Sequence, residues 1–143
     1  MVEFNNKVGA RVSRIWVVGI VSNILKKMSK SGDVSVALVD DKEIKKLNKR
    51  YRKKNAVTDV LSFSNLDGGR LIMPESNNYL GEVIIGYNQM KRQAKEQGCL
   101  ERRELLILLI HGVLHLLGYD HEQGRREARV MREKEGELLG MFR

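Results

Sequence analysis

The sequence predicts an α+β domain in which a small mixed sheet of about four strands is packed with about five helices. Three observations carry this. Helical periodicity and strand alternation are interleaved along 143 residues rather than segregated. The run Leu105-Leu106-Ile107-Leu108-Leu109-Ile110 is apolar on every side, which places one helix in the interior, yet it is too short to span a membrane. Pro74 is the sole proline, and without a repeat or low-complexity stretch there is no sign of a linker, so residues 1–143 are expected to form one domain.

The elements follow in order. Val8, Val12, Ile15, Trp16, Ile20 and Ile24 recur at helical spacing and predict a first amphipathic helix over residues 9–29, broken at Ser31-Gly32. Val34, Val36 and Leu38 alternate with Ser35 and Ala37 as in a strand. Asp40 and Glu43 then supply a capping box for a helix whose buried stripe is Ile44, Leu47 and Tyr51. Val60–Ser64 and Leu80–Ile85 read as strands separated by a polar loop, with Arg70–Met73 a possible edge arm. A third helix runs from near Asn88 to Gly98, a glycine suited to the position just past a helix end. The apolar helix spans Glu101–Leu117, and Ala128, Met131, Leu138 and Phe142 mark a C-terminal helix.

Twenty-six basic against 18 acidic residues give a net charge of +8, which favours an anionic partner such as nucleic acid. A single cysteine excludes an internal disulfide framework. The start Met1-Val-Glu-Phe-Asn-Asn lacks the pattern of a signal peptide, so a cytoplasmic location without membrane attachment is expected.

All three histidines fall in His111-Gly-Val-Leu-His115-Leu-Leu-Gly118-Tyr-Asp-His121. Residues four apart on a helix share a face, so His111 and His115 can aim at one ion. Gly118 permits the left-handed turn that returns His121 as third ligand. Three neutral imidazoles suit Zn²⁺, one ion per chain, and three protein ligands leave a position open for substrate, the catalytic pattern. Burial of the carrier helix would fix both rotamers before the metal arrives. A closed structural site would need a fourth ligand, and Cys99 lies outside the cluster. The spacing is shared with metzincin peptidases, but these carry a glutamate beside the first histidine as general base, where this chain has Gly112.

The strongest basic patch is Lys42, Lys45, Lys46, Lys49, Arg50, Arg52, Lys53 and Lys54. Most of these lysines are expected to form a solvated helix face. Arg52 stands apart, because a planar guanidinium grips two phosphate oxygens and stabilises charge on phosphorus.

Asn48-Lys-Arg-Tyr51-Arg52, Thr58-Asp59-Val60-Leu61-Ser62-Phe63, Leu80-Gly81-Glu82 and the histidine cluster occur together and in order. This combination resembles the bacterial YbeY family over residues 34–135. Val57 and Ser64 stand where that family usually has prolines, and Glu82 where it has aspartate. The resemblance implies a zinc-dependent endoribonuclease specific for single-stranded RNA. It further implies action in ribosomal RNA maturation at the 3′ end of the small-subunit RNA, and in ribosome quality control, with the small subunit as partner. By match the ligands are His111, His115 and His121, and the family's important arginine is Arg52.

Chemically, the ion would polarise a phosphodiester oxygen or acidify a water, while Arg52 compensates the charge of a pentacoordinate transition state. Lys49 and Lys53 are further substrate-binding candidates. Asp120 and Glu82 are the acidic candidates, each for a general base or for a carboxylate orienting an imidazole, and attack by the ribose 2′-hydroxyl is equally open. Tyr119 and Met131 are expected to pack, and Cys99 to be an incidental thiol. The alternative functions are a ribosome-assembly factor with a structural zinc and a metzincin-like metallopeptidase, the latter disfavoured by Gly112.

Overall fold

The computed structural model describes residues 1–65 and 78–142. The elements are β1 (Val2–Asn6), α1 (Arg14–Lys27), β2 (Asp33–Val39), α2 (Asp41–Arg52), β3 (Val60–Ser64), β4 (Tyr79–Gly86), α3 (Tyr87–Gln97), α4 (Glu101–Leu116) and α5 (Arg125–Met141). The strands form one mixed sheet in the order β1-β2-β4-β3, parallel throughout except for β3, which runs antiparallel to β4 at the edge. The α+β class with five helices and a four-stranded mixed sheet is therefore as expected.

Alternation along the strands decides what covers each face. Phe4, Val34, Val36, Leu38, Val83 and Ile85 point to the side packed by α1, α3, α4 and α5. Ala37, Val39, Leu61, Phe63 and Ile84 point to the other, where α2 lays down Ile44 with Leu47 and Tyr51 beside it. The central α4 buries most of its circumference, from Leu105 to Leu116, as an all-round apolar helix must.

The N-terminal expectation is corrected. Residues 9–13 are not helical, and the stretch before them holds an unexpected strand, β1. The Asn6 side chain organises a turn in place of helix: Nδ2 donates to the Ala10 carbonyl at 2.7 Å, and Oδ1 accepts from the Val8 and Ala10 amides at 3.3 and 3.1 Å. Such local side-chain bonds compete with helix. Helix α1 starts only after Ser13, whose hydroxyl accepts from the Trp16 amide at 3.1 Å, and ends at Lys27, before Ser31-Gly32. Val8 and Val12, expected on the stripe of the first helix, pack against the core from the connection. The expected arm at Arg70–Met73 lies outside the described residues.

Three predicted caps form. Gly98 ends α3 in a left-handed conformation at φ 66°. Asp40 accepts from the Glu43 amide at 2.9 Å and starts α2. At the end of α4, Gly118 has φ 98°, the Tyr119 amide reaches the Leu114 carbonyl and the Gly118 amide reaches that of His115, both at 3.0 Å. That pair of bonds is a Schellman motif, and it reverses the chain toward His121.

Candidate active site

The turn after α4 brings the three histidines together. Their ligating nitrogens lie within 4.8 Å of one another, and the ring centroids are 4.8–5.5 Å apart. A tetrahedral zinc site with bonds of 2.0–2.1 Å sets its nitrogens about 3.4 Å apart. Small ring rotations therefore close the set on one ion. His111 and His115 are part-buried and His121 is exposed, which leaves one side of the set open. Burial, followed by the neighbouring His111, pushes the His115 imidazole below its ordinary pKa, against the pull of Asp120 and Glu122. A neutral imidazole is the form that ligates a metal. His111 Nδ1 lies 3.2 Å from Glu135 Oε2 of α5, which leaves Nε2 for the ion. Cys99 sits two residues before α4, whose start at Glu101 is roughly 15 Å along the axis from His111 by helical rise.

The histidines line an open groove of about 450 Å³, with Asn48, Arg52, Lys54 and Asp59 among the residues on its opposite wall. Arg52 reaches it by wrapping around the sheet edge. Buried Asn48 donates from Nδ2 to the Ala56 carbonyl at 2.9 Å, and Lys53 takes a left-handed conformation at φ 60°, so the chain turns back on itself there. The Asp59 carbonyl accepts from the Gly86 amide, which makes Asp59 and Leu61 the residues that bond to β4 and leaves the Ser62 carbonyl on the free edge. Arg52 donates to that carbonyl from one guanidinium nitrogen at 2.6 Å and stacks 4.8 Å above the Phe63 ring. Its other donors remain available to a phosphate in the groove.

Two serines of β3 bind the strand to the histidine helix. Ser62 Oγ donates to the Gly112 carbonyl at 3.3 Å and Ser64 Oγ to the Leu116 carbonyl at 3.2 Å. Gly112 permits this closeness, since a Cβ there would lie 2.5 and 3.0 Å from the two methyls of Val83. Position 112 therefore faces β4 and β3 at close quarters, and the glutamate that the peptidase arrangement requires there is absent.

Of the acidic candidates, Asp120 lines the groove, where its Oδ1 accepts from the Glu122 amide at 2.8 Å and shapes the turn that carries His121. Glu82 is not brought to the groove: it shares the α2 side of the sheet with Ile84, opposite Phe63 in register. Burial raises its carboxyl pKa, with Lys7 opposing. Lys49 and Lys53 are exposed on α2 and its exit but do not line the groove, whereas Lys54 does. Sequence reasoning missed Asp59, Glu122 and Glu135. Asp59 stood inside the Thr58-Asp59 motif, while nothing local marked Glu135.

Two basic side chains thus face three carboxylates in the groove. On its own the groove carries no excess of positive charge. A divalent ion on the histidines would reverse the balance.

A family model described as Endoribonuclease YbeY matches residues 4–143. The Endoribonuclease YbeY of Pelotomaculum thermopropionicum is 49% identical over 108 residues, covering 76% of this chain and 70% of that protein. The one from Persephonella marina is 39% identical over 143 residues, covering 97% and 90%. Among solved structures, the solution structure of TM1509 from Thermotoga maritima superposes with a TM-score of 0.67 at 30% identity, covering 97% of this chain and 87% of that one. With near-complete coverage by the family model and relatives at 39–49% identity, this chain belongs to the YbeY family of endoribonucleases.

Proposed function

We propose that this endoribonuclease works with one Zn²⁺ on His111, His115 and His121, and that it cuts single-stranded RNA in the maturation and quality control of ribosomal RNA. The small-subunit RNA 3′ end is its proposed substrate, the small subunit its partner, and the cytoplasm its place. Residues 1–143 act together as one metallohydrolase domain in this reading. Among the described residues no helix is long and apolar enough to cross a membrane.

The observation that carries the metal reading is the convergence of three imidazoles and Arg52 on one groove. The donor set fits: three imidazoles of which two are part-buried, a His115 that burial biases toward the neutral form, and an open side. A bound divalent ion supplies Lewis acidity toward a phosphodiester oxygen. Arg52, fixed by Ser62 and Phe63, offers its remaining donors to the phosphate and stabilises charge that develops on it. Lys54 adds a charge on the same wall, and Lys49 and Lys53 extend basic surface beyond the groove to a longer strand. Asp120 keeps His121 in place through its turn and leaves one carboxylate oxygen as a proton acceptor at the groove.

The groove's charge balance favours this reading over an assembly factor with a structural metal, because an ion on the histidines would turn a slightly acidic lining into one that attracts a phosphate. The test incubates metal-analysed wild type and His115→Ala protein with defined single-stranded RNA and maps the fragment ends. Zinc-dependent cleavage by wild type alone is expected. Equal cleavage by the two proteins would refute the metal's role, and the end chemistry identifies the nucleophile.

A further inference from the structure

The geometry points to Glu135 as the positioning residue of the metal centre: its carboxylate holds the Nδ1 hydrogen of His111 so that Nε2 faces the ion. The inference rests on the metal reading above and adds a residue from a different helix, 24 positions from His111.

Helix α5 packs through Met131 and Leu138, both fully buried. Glu135 lies four residues after the one and three before the other, so it occupies the same inward stripe. A carboxylate in that position carries a desolvation cost unless a partner compensates. Its only hydrogen bond among the described residues is to His111 Nδ1, at 3.2 Å, and both side chains are about one-quarter exposed. The neighbours Lys134 and Glu137 pair with each other instead, at 3.1 Å.

A ligating imidazole must be neutral, with its hydrogen on the nitrogen turned away from the metal. A carboxylate at Nδ1 selects that tautomer and fixes the ring's rotation. Neither His115 nor His121 has such a partner among the described hydrogen bonds, so His111 is the ligand whose direction the protein sets in advance. The competing account is a contact that only ties α5 to α4, which predicts unchanged zinc affinity when the carboxylate is removed from a folded protein.

The test measures Zn²⁺ affinity of full-length wild type, Glu135→Ala, Glu135→Gln and His115→Ala by competition with a chromophoric chelator, with circular dichroism of each metal-free protein as the fold check. Glu135→Ala is expected to bind about 10–100-fold more weakly, with Glu135→Gln, which keeps an acceptor but no charge, in between. Wild-type or tighter affinity in Glu135→Ala would overturn the role of Glu135. Equal affinity of wild type and His115→Ala would instead overturn the metal reading itself. Should Glu135→Ala fail to fold, Glu135→Gln and long-range ¹H–¹⁵N spectra of zinc-loaded wild type decide. A hydrogen on His111 Nδ1 supports the inference, and zinc on Nδ1 refutes it.

Discussion

Gly112→Ala tests how closely the histidine helix must lie on the sheet. The added Cβ would meet Val83 Cγ1 at 2.5 Å, Val83 Cγ2 at 3.0 Å and Ser62 Oγ at 3.4 Å. Carbon atoms pack best at about 3.5–4.0 Å, so relief requires α4 and β4 to separate by about 1 Å. Rotating Val83 gives no escape, because both methyls face the helix and the residue is fully buried. Overpacking of this kind costs roughly 1–3 kcal/mol, and a retreat of α4 would stretch the Ser62 and Ser64 hydroxyl bonds, now 3.3 and 3.2 Å. Alanine regains about 0.8–1 kcal/mol of helix propensity. A net loss of about 0–2 kcal/mol remains, a fall in Tm of at most a few degrees at this chain length.

The functional consequence should be out of proportion to the stability loss. His111, His115 and His121 ride together on α4 and its exit turn, so zinc affinity should stay near wild type. Arg52 is fastened to β3, so the shift alters its distance from all three. A displacement of about 1 Å between groups that must act on one phosphate can cost on the order of 100-fold in rate. Steady-state cleavage of single-stranded RNA, zinc competition and thermal unfolding measure the three quantities. Adding Val83→Ala removes both obstructing methyls, and the pair should couple favourably by roughly 0.5–3 kcal/mol. Wild-type stability and cleavage in Gly112→Ala, or strict additivity with Val83→Ala, would refute the reasoning.

Two further outcomes are expected. Arg52→Lys keeps a charge but lacks the fork that bonds Ser62 while facing a phosphate, so cleavage should fall about 10²–10³-fold with zinc content unchanged; comparable rates would remove Arg52 from the chemistry. Glu82 has its carboxyl pKa raised by burial, so the native state holds that proton more tightly than the unfolded chain, and the group lowers stability as pH rises through the ordinary glutamate range toward its native value. Glu82→Gln should therefore raise Tm relative to wild type at pH 7.5 and lose that advantage near pH 4, as read by calorimetry at the two pH values.

Local signals carried much of the fold. The all-round apolar run identified α4, Asp40 marked the start of α2, and Gly118 marked the turn that delivers His121. What failed depended on partners distant in sequence. Val2 and Phe4 do alternate with Glu3 and Asn5, but five residues are a weak signal until β2 supplies the other half of the ladder. Glu82 is one residue from Val83, and only the register of β4 decides that Val83 meets the histidine helix while Glu82 turns to the other side. Lys54 rather than Lys53 lines the groove, because a left-handed Lys53 reverses the chain, a conformation that sequence rarely betrays in a non-glycine residue.

These placements explain why β3 matters beyond its length. The three histidines come from one helix and its turn, and Arg52 comes from another helix on the opposite side of the sheet. No direct contact between α2 and the histidines is needed, because β3 touches both: its edge carbonyl at Ser62 fixes Arg52, and its hydroxyls at Ser62 and Ser64 fix α4. Ser62 thus serves both sides of the groove through two different atoms. Its backbone contribution survives substitution and its hydroxyl does not, so Ser62→Ala would leave Arg52 anchored and loosen only the helix. Changes in the strand should accordingly alter turnover more than metal content, whereas changes in the Gly118 turn or in α5 should alter metal content first.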